Sequence, residues 1–187
     1  MSLGLVRVCG LDPSAGRGFN GYAILEGSCT RWRLVASRAS RSLYRALEAL
    51  RDCPVIGVDA PLTPPYRGFR EAERVATRLY GARFLPGGMP GMRALALRGF
   101  SVRQLLEEAG IAVVETHPGS IARVSGLAEG RDDRLDAVLA AGAAAAHYCG
   151  VASYAIGVDG VIVLARVVVG DGLVRVLPLG EAPLGPG

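Results

Sequence analysis

Three apolar runs in this chain each stop at a carboxylate: Leu11-Asp12-Pro13, Val58-Asp59-Ala60 and Val114-Glu115-Thr116. In open α/β sheets the working site lies outside the carboxyl ends of the parallel strands. If these three strands are neighbours, Asp12, Asp59 and Glu115 project into one crevice. Like charges crowded in a partly dry crevice repel strongly, and a cation relieves that repulsion. An all-oxygen ligand set selects Mg²⁺ or Mn²⁺ rather than zinc. A fourth acid comes from DDRLDAVLAA, where Asp132 and Asp136 are four apart and Asp133 and Asp136 three apart. Either pair shares one face of a helix, so a helix packed on the sheet can set Asp136 over the strand ends. The expected metal ligands are therefore Asp12, Asp59, Asp133 and Asp136, and the expected catalytic set is Asp12, Asp59, Glu115 and Asp136. Two cations about 4 Å apart, bridged by Asp12, would activate a water and steady the leaving oxygen of a phosphodiester. Arg67, Arg70 and Arg74 are the residues expected to grip a phosphate, because a guanidinium fork matches its oxygens.

Each of these residues also has a plainer reading. Asp12 before Pro-Ser fits a turn, Asp59 before Ala-Pro fits a strand end, and Glu115 fits a cap for the next helix. Asp133 fits an N-cap, with Asp136 at the capping-box position. His117 reads as a solvated loop residue and His147 as a surface or core-edge residue. The order and spacing of the acids together carry the chemical reading.

The elements that would position these acids follow from periodicity. Leu3–Leu11 is a strand closed by Asp-Pro-Ser, and Gly21–Glu26 and Thr30–Ser37 are strands split by Gly27-Ser28, giving an antiparallel meander. Ser40–Asp52 carries Leu43, Leu47 and Leu50 at helical spacing with Ser40 as N-cap. PVIGVDAPL is a short apolar strand of the parallel, buried kind. Residues 63–100 form an insertion, a lid or binding segment around one helix, Phe69–Tyr80. A second helix is expected over Ser101–Ala109 with Ser101 as N-cap, then strand IAVVE, then the helix Asp133–Tyr148 ending at Gly150. Residues 151–180 read as one C-terminal hairpin. The expectation is a single α/β domain over residues 1–187, a mixed sheet with strands 1–3 antiparallel and strands 4–5 parallel, flanked by helices.

Composition narrows the chemistry. With 187 residues and half of them hydrophobic, the chain can bury a sizeable core. Every basic residue is Arg, and the absence of Lys excludes Schiff-base catalysis and a Walker-type phosphate site. The net charge of +4 permits nucleic-acid binding without demonstrating it. Arginines crowd positions 67–103, either lining phosphates or forming a solvated surface. Cys9, Cys29, Cys53 and Cys149 have no metal-ligand spacing and read as buried small hydrophobes. A Cys53–Cys149 bridge is expected only in a hyperthermophile's chain. The strand-like start leaves no room for a signal peptide, and the apolar run Ala137–Ala146 falls short of the roughly 20 residues of a membrane helix. The expectation is a cytoplasmic protein with no membrane association.

The segment LVRVCGLDPS followed by GYAIL resembles the first hairpin of the ribonuclease H-like fold, as in Holliday-junction resolvases of the RuvC type. In that superfamily a second acid ends the fourth strand, here Asp59. A late helix bearing Asp-x-x-Asp-Ala completes the metal site, here Asp133-Arg-Leu-Asp136-Ala137. Over nearly the whole chain, GVDAPL, FREAER, the Pro/Gly stretch with Met, VVETHPGS and LDAVLAA resemble a family labelled predicted ribonuclease H-like nucleases (domain-of-unknown-function family 429). The resemblance implies the fold and a metal site. The sequence differs from the resolvases in having Asp59 where they carry Glu, and in the Pro/Gly-rich insertion. Three functions stay open at this point: a metal-dependent nuclease, an actin-like ATPase or phosphotransferase, and a non-catalytic module binding nucleic acid or protein. The chain is short for a two-lobed actin-like fold and lacks the glycine-rich phosphate hairpin after Asp12.

Overall fold

The computed structural model describes residues 5–127 and 132–179. In chain order its elements are β1 (Val6–Asp12), β2 (Asn20–Ser28), β3 (Arg31–Ser40), α1 (Leu43–Leu50), β4 (Val55–Val58), α2 (Glu71–Tyr80), α3 (Pro90–Glu108), β5 (Ala112–Thr116), α4 (Pro118–Val124), α5 (Asp133–Tyr148), β6 (Ser153–Gly157), β7 (Gly160–Leu164), β8 (Arg166–Gly170) and β9 (Leu173–Leu177). The strands form one mixed sheet in the order β6-β7-β5-β4-β1-β2-β3-β9-β8. β1, β2 and β3 run antiparallel to their neighbours, while β4 and β5 lie parallel beside β1.

A single residue, Ala165, joins β7 to β8, although the two strands stand seven places apart in the sheet. At ~4.8 Å per strand a flat sheet would separate them by about 34 Å, far beyond one residue's reach. The sheet therefore curls until its ends approach, and α5 lies inside the curl. That helix packs against β1, β2, β3, β4, β5, β7, β8 and β9, and every residue from Ala137 to Ala146 is buried. A helix enclosed on all sides has no polar face to keep, which explains its run of alanines.

Alanine on the helix meets glycine on the strands. A Cβ added at Gly10 would stand 2.0 Å from the Ala137 carbonyl oxygen, and one at Gly57 would stand 2.2 Å from that of Ala140. One at Gly21 would stand 1.8 Å from the Asp133 oxygen. These contacts are backbone to backbone, so no side chain can swing aside to make room. The outer face of the sheet forms a second core, where Cys9, Leu11, Ile56 and Val58 pack with Leu50, Val102 and Leu106 of α1 and α3.

Several expectations are corrected. Residues 151–179 form two hairpins rather than one, β6–β7 beside β5 and β8–β9 beside β3. The enclosed helix separates them, and position 180 of the expected hairpin lies outside the described residues. The helix expected from Ser101 begins eleven residues earlier, with Pro90 as its first residue. Pro at that position needs no N–H partner and has its φ preset for a helix. Ser101 is interior, its hydroxyl donating to the Leu97 carbonyl at 3.0 Å. The N-caps of α1 and α5 are Ser42 and Asp132, not Ser40 and Asp133. The short helix α4 was not anticipated.

The cysteines are paired, Cys9 with Cys53 and Cys29 with Cys149, so they are neither free hydrophobes nor joined as Cys53–Cys149. β1 lies beside β4, which brings Cys9 near Cys53, two residues before that strand, while Cys29–Cys149 ties the β2–β3 turn to the C-terminal end of α5. No helix among the described residues is long and apolar enough to cross a membrane.

Candidate functional site

The registers of β1, β4 and β5 decide which acids meet. Leu11 pairs with Val58, and Val58 with Glu115. One residue further on, Asp12, Asp59 and Thr116 therefore stand side by side. The Asp59 N–H donates to the Leu11 carbonyl at 2.9 Å, carrying the ladder one step past β4. Side chains alternate faces along a strand, so Asp12 shares its face with Gly10, and Asp59 with Gly57. That face looks at α5. The same glycine contacts that admit the helix backbone thus aim two carboxylates at its first turns.

Asp136 completes the group. Ligand oxygens of Asp12, Asp59 and Asp136 all lie within 4.8 Å of one another, and all three residues are partly buried. The N-terminal turn is fixed by Asp132, whose carboxylate accepts from Leu135 N at 2.9 Å and from Arg134 Nη2 at 2.7 Å. Burial first, then the charges of Asp136 and Asp133, pushes the Asp12 carboxyl up from 3.8 to about 7. Asp12 thus holds a proton near neutrality unless positive charge arrives. Thr116 Oγ1, next to Asp59 in register, is buried with no hydrogen-bond partner among the described residues. The donor set is three carboxylates in one cluster, which suits a hard divalent cation.

The remaining site residues fall elsewhere. Asp133 is exposed on the first turn of α5 and is not one of the three clustered acids, though its charge reaches Asp12. Glu115 does not join them, because it sits one residue short of the shared level and points to the opposite face. There it accepts from Leu62 N at 2.9 Å and from both terminal nitrogens of Arg70. Arg70 is itself buried and also bonded to Glu73, whose carboxylate takes the Tyr66 hydroxyl proton donor. Burial opposes the Arg70 charge, but Glu115 and Glu73 outweigh it and hold its pKa above the ordinary value. Arg70 is thus committed to an internal network that ties the 63–100 insertion to the end of β5. Arg67 and Arg74 are both exposed, Arg67 beside Arg93 and Arg74 with Nη2 on the Phe69 carbonyl at 2.5 Å.

A cavity of about 340 Å³ opens beside Asp59, walled by Arg83, Phe84, His117 and the Arg70–Glu115 pair. His117 is half-buried as the N-cap of α4, its Nδ1 accepting from Ser120 N at 3.3 Å, so it is not the solvated loop residue expected. The Phe84 ring lies against its imidazole with centroids 4.3 Å apart. Phe84 and Thr116 carried no signal in the sequence, and Arg83 stood out only as one of the arginines crowding positions 67–103. What was readable is a repeated Gly-x-Asp at strand ends, Gly10-Leu11-Asp12 and Gly57-Val58-Asp59.

Compared with protein-family models, curated proteins and solved structures, the chain matches none.

Proposed function

We propose that this protein is a metal-dependent nuclease, hydrolysing phosphodiester bonds at a ribonuclease H-like carboxylate centre. The observation that carries the reading is the convergence of Asp12, Asp59 and Asp136 to within 4.8 Å at the carboxyl ends of parallel strands. The raised Asp12 pKa supports it, since a carboxylate cluster that retains a proton is a site short of positive charge. The strand arrangement supports the ribonuclease H-like part: a β1–β2–β3 meander with β4 and β5 parallel to β1 is what the resemblance implies.

In this reading Asp12, Asp59 and Asp136 hold the cation, Mg²⁺ or Mn²⁺. When bound, it supplies Lewis acidity toward a phosphate oxygen and an acidified water. The residues of the chain do the rest. Asp12, deprotonated once the cation is held, would orient the attacking water. Arg83, on the cavity wall beside Asp59, offers a guanidinium to the phosphate. Glu115 and Arg70 hold the wall of the cavity in place.

The test is cleavage of labelled single- and double-stranded DNA, RNA, an RNA–DNA hybrid and a four-way junction, with Mg²⁺, Mn²⁺ or chelator. Cutting that needs the metal and disappears in Asp12→Asn supports the reading. Equal cutting by Asp12→Asn and the parent protein overturns it.

A further inference from the structure

We propose that a single nucleic-acid strand with unpaired bases reaches the carboxylate centre along the groove beside α2. The role of the groove's endpoint rests on the nuclease reading, but the groove's own chemistry does not. The groove, of about 560 Å³, is lined by two aromatic residues, Phe69 and Phe84, and three arginines, Arg74, Arg78 and Arg83, with no carboxylate in its lining among the described residues. Arg74 and Arg78 stand one helical turn apart and line the same groove. The hydrogen bond from Arg74 to the Phe69 carbonyl ties that cation to the Phe69 backbone.

Arg83 and Phe84 belong to this groove and also to the cavity that holds Asp59. The two spaces thus share a wall, and a strand lying in the groove from Phe69 is led to the Phe84–His117 stack, on the rim of the cavity that holds Asp59. Rings interleaved with arginines are the recognition chemistry of single strands, because every base has a face to stack and every linkage a phosphate. A duplex keeps its bases stacked on each other and cannot offer those faces. The inner cavity, at about 340 Å³, is at the small end of ligand clefts and suits one nucleotide rather than a base pair. Charge complementarity points to the same occupant: the groove is cationic while the acids at its end call for a metal to receive the phosphate.

The experiment is fluorescence anisotropy with a labelled single-stranded oligonucleotide, its duplex, and an acidic peptide, using Asp12→Asn protein in chelator so that nothing is cut. The single strand is expected to bind more tightly than either competitor. Phe69→Ala, at an exposed position, is expected to weaken it about tenfold or more. Arg78→Ala is expected to shallow the slope of log affinity against log salt by about 0.7. Equal affinity for the duplex, tighter binding of the peptide, or indifference to both substitutions would overturn the proposal. Single-strand binding without any metal-dependent cleavage upholds the groove and removes the nuclease reading. Metal-dependent cleavage that ignores Phe69→Ala and Arg78→Ala upholds that reading and removes the groove.

Discussion

Without a metal, Asp12 should make this protein lose stability, relative to a variant lacking its carboxyl, as the pH rises from about 4 to about 7. Its carboxyl titrates near 3.8 when solvated and near 7 in the fold, held up by burial and by Asp136 and Asp133. Between those values the native state binds a proton that the unfolded chain releases. Stability is fully present below the unfolded value and is lost as pH rises through the folded one. Three units at about 1.4 kcal/mol each would give about 4 kcal/mol, and partial solvent access to the carboxylate reduces this to about 2. Asp12→Asn keeps the shape and removes the titration, so its stability should be flatter over this window and should exceed the parent's at pH above 7. The assay is urea denaturation in chelator at several pH values, read as the difference between parent and variant. Because both proteins share every other titrating group, the difference isolates Asp12. A difference that stays constant across the window would refute the reasoning.

Four further outcomes follow from the same geometry. Gly57→Ala forces a Cβ to within 2.2 Å of the Ala140 oxygen, so it should cost about 1–3 kcal/mol in urea denaturation and weaken cation binding by displacing α5. Arg70→Met strands Glu115 and Glu73 in the interior and should cost about 3–5 kcal/mol, measured by the same method. Thiol titration of the unfolded, unreduced protein should find all four cysteines blocked; breaking Cys29–Cys149, which spans 120 residues, should cost about 2–5 kcal/mol. Asp159→Ala removes the carboxylate that accepts from Glu71 N at 2.7 Å and Ala72 N at 3.2 Å, and should loosen α2 by about 1 kcal/mol, visible as faster amide exchange in its first turn.

The carboxylates at strand ends were legible because an apolar run that stops at Asp marks both a boundary and a place where charge leaves the core. Asp12 and Asp59 stood out for that reason and Asp136 for its helical spacing from Asp132 and Asp133, and the structure brings the three together. Glu115 carried the same signal but not the same face. Its offset of one residue relative to Asp59 exists only in the pairing register, which no single strand's sequence specifies. Arg70 looked like its neighbours Arg67 and Arg74, and only the fold buries it against Glu115.

The α5 helix was legible from its composition, whereas the curl of the sheet around it was not. That curl depends on β7 and β8 leaving the chain in opposite directions from one residue, a long-range fact. Glycine was the clue to how close the helix comes. Gly10, Gly21 and Gly57 each sit where a methyl group would strike helix backbone. The start of α3 was hidden because Gly91 and Gly99 weaken a helical pattern. Gly99 is there because a Cβ would stand 2.4 Å from the Pro61 oxygen, so close packing overrides propensity. The disulfides were unreadable because Cys9 and Cys53 are brought together by strands that only the sheet makes adjacent, and Cys29 and Cys149 by the packing of α5 in the sheet's curl.

The most direct test of the central claim is calorimetric titration of Mn²⁺ into the parent protein and Asp12→Asn, above and below pH 7. The cation must displace the proton that Asp12 keeps up to about pH 7. Binding to the parent should therefore be strong above that pH, weaker below it with proton release, and absent in Asp12→Asn. Binding that is equal in the two proteins, or no binding to the parent at either pH, would contradict the assignment of Asp12, Asp59 and Asp136 as a metal centre.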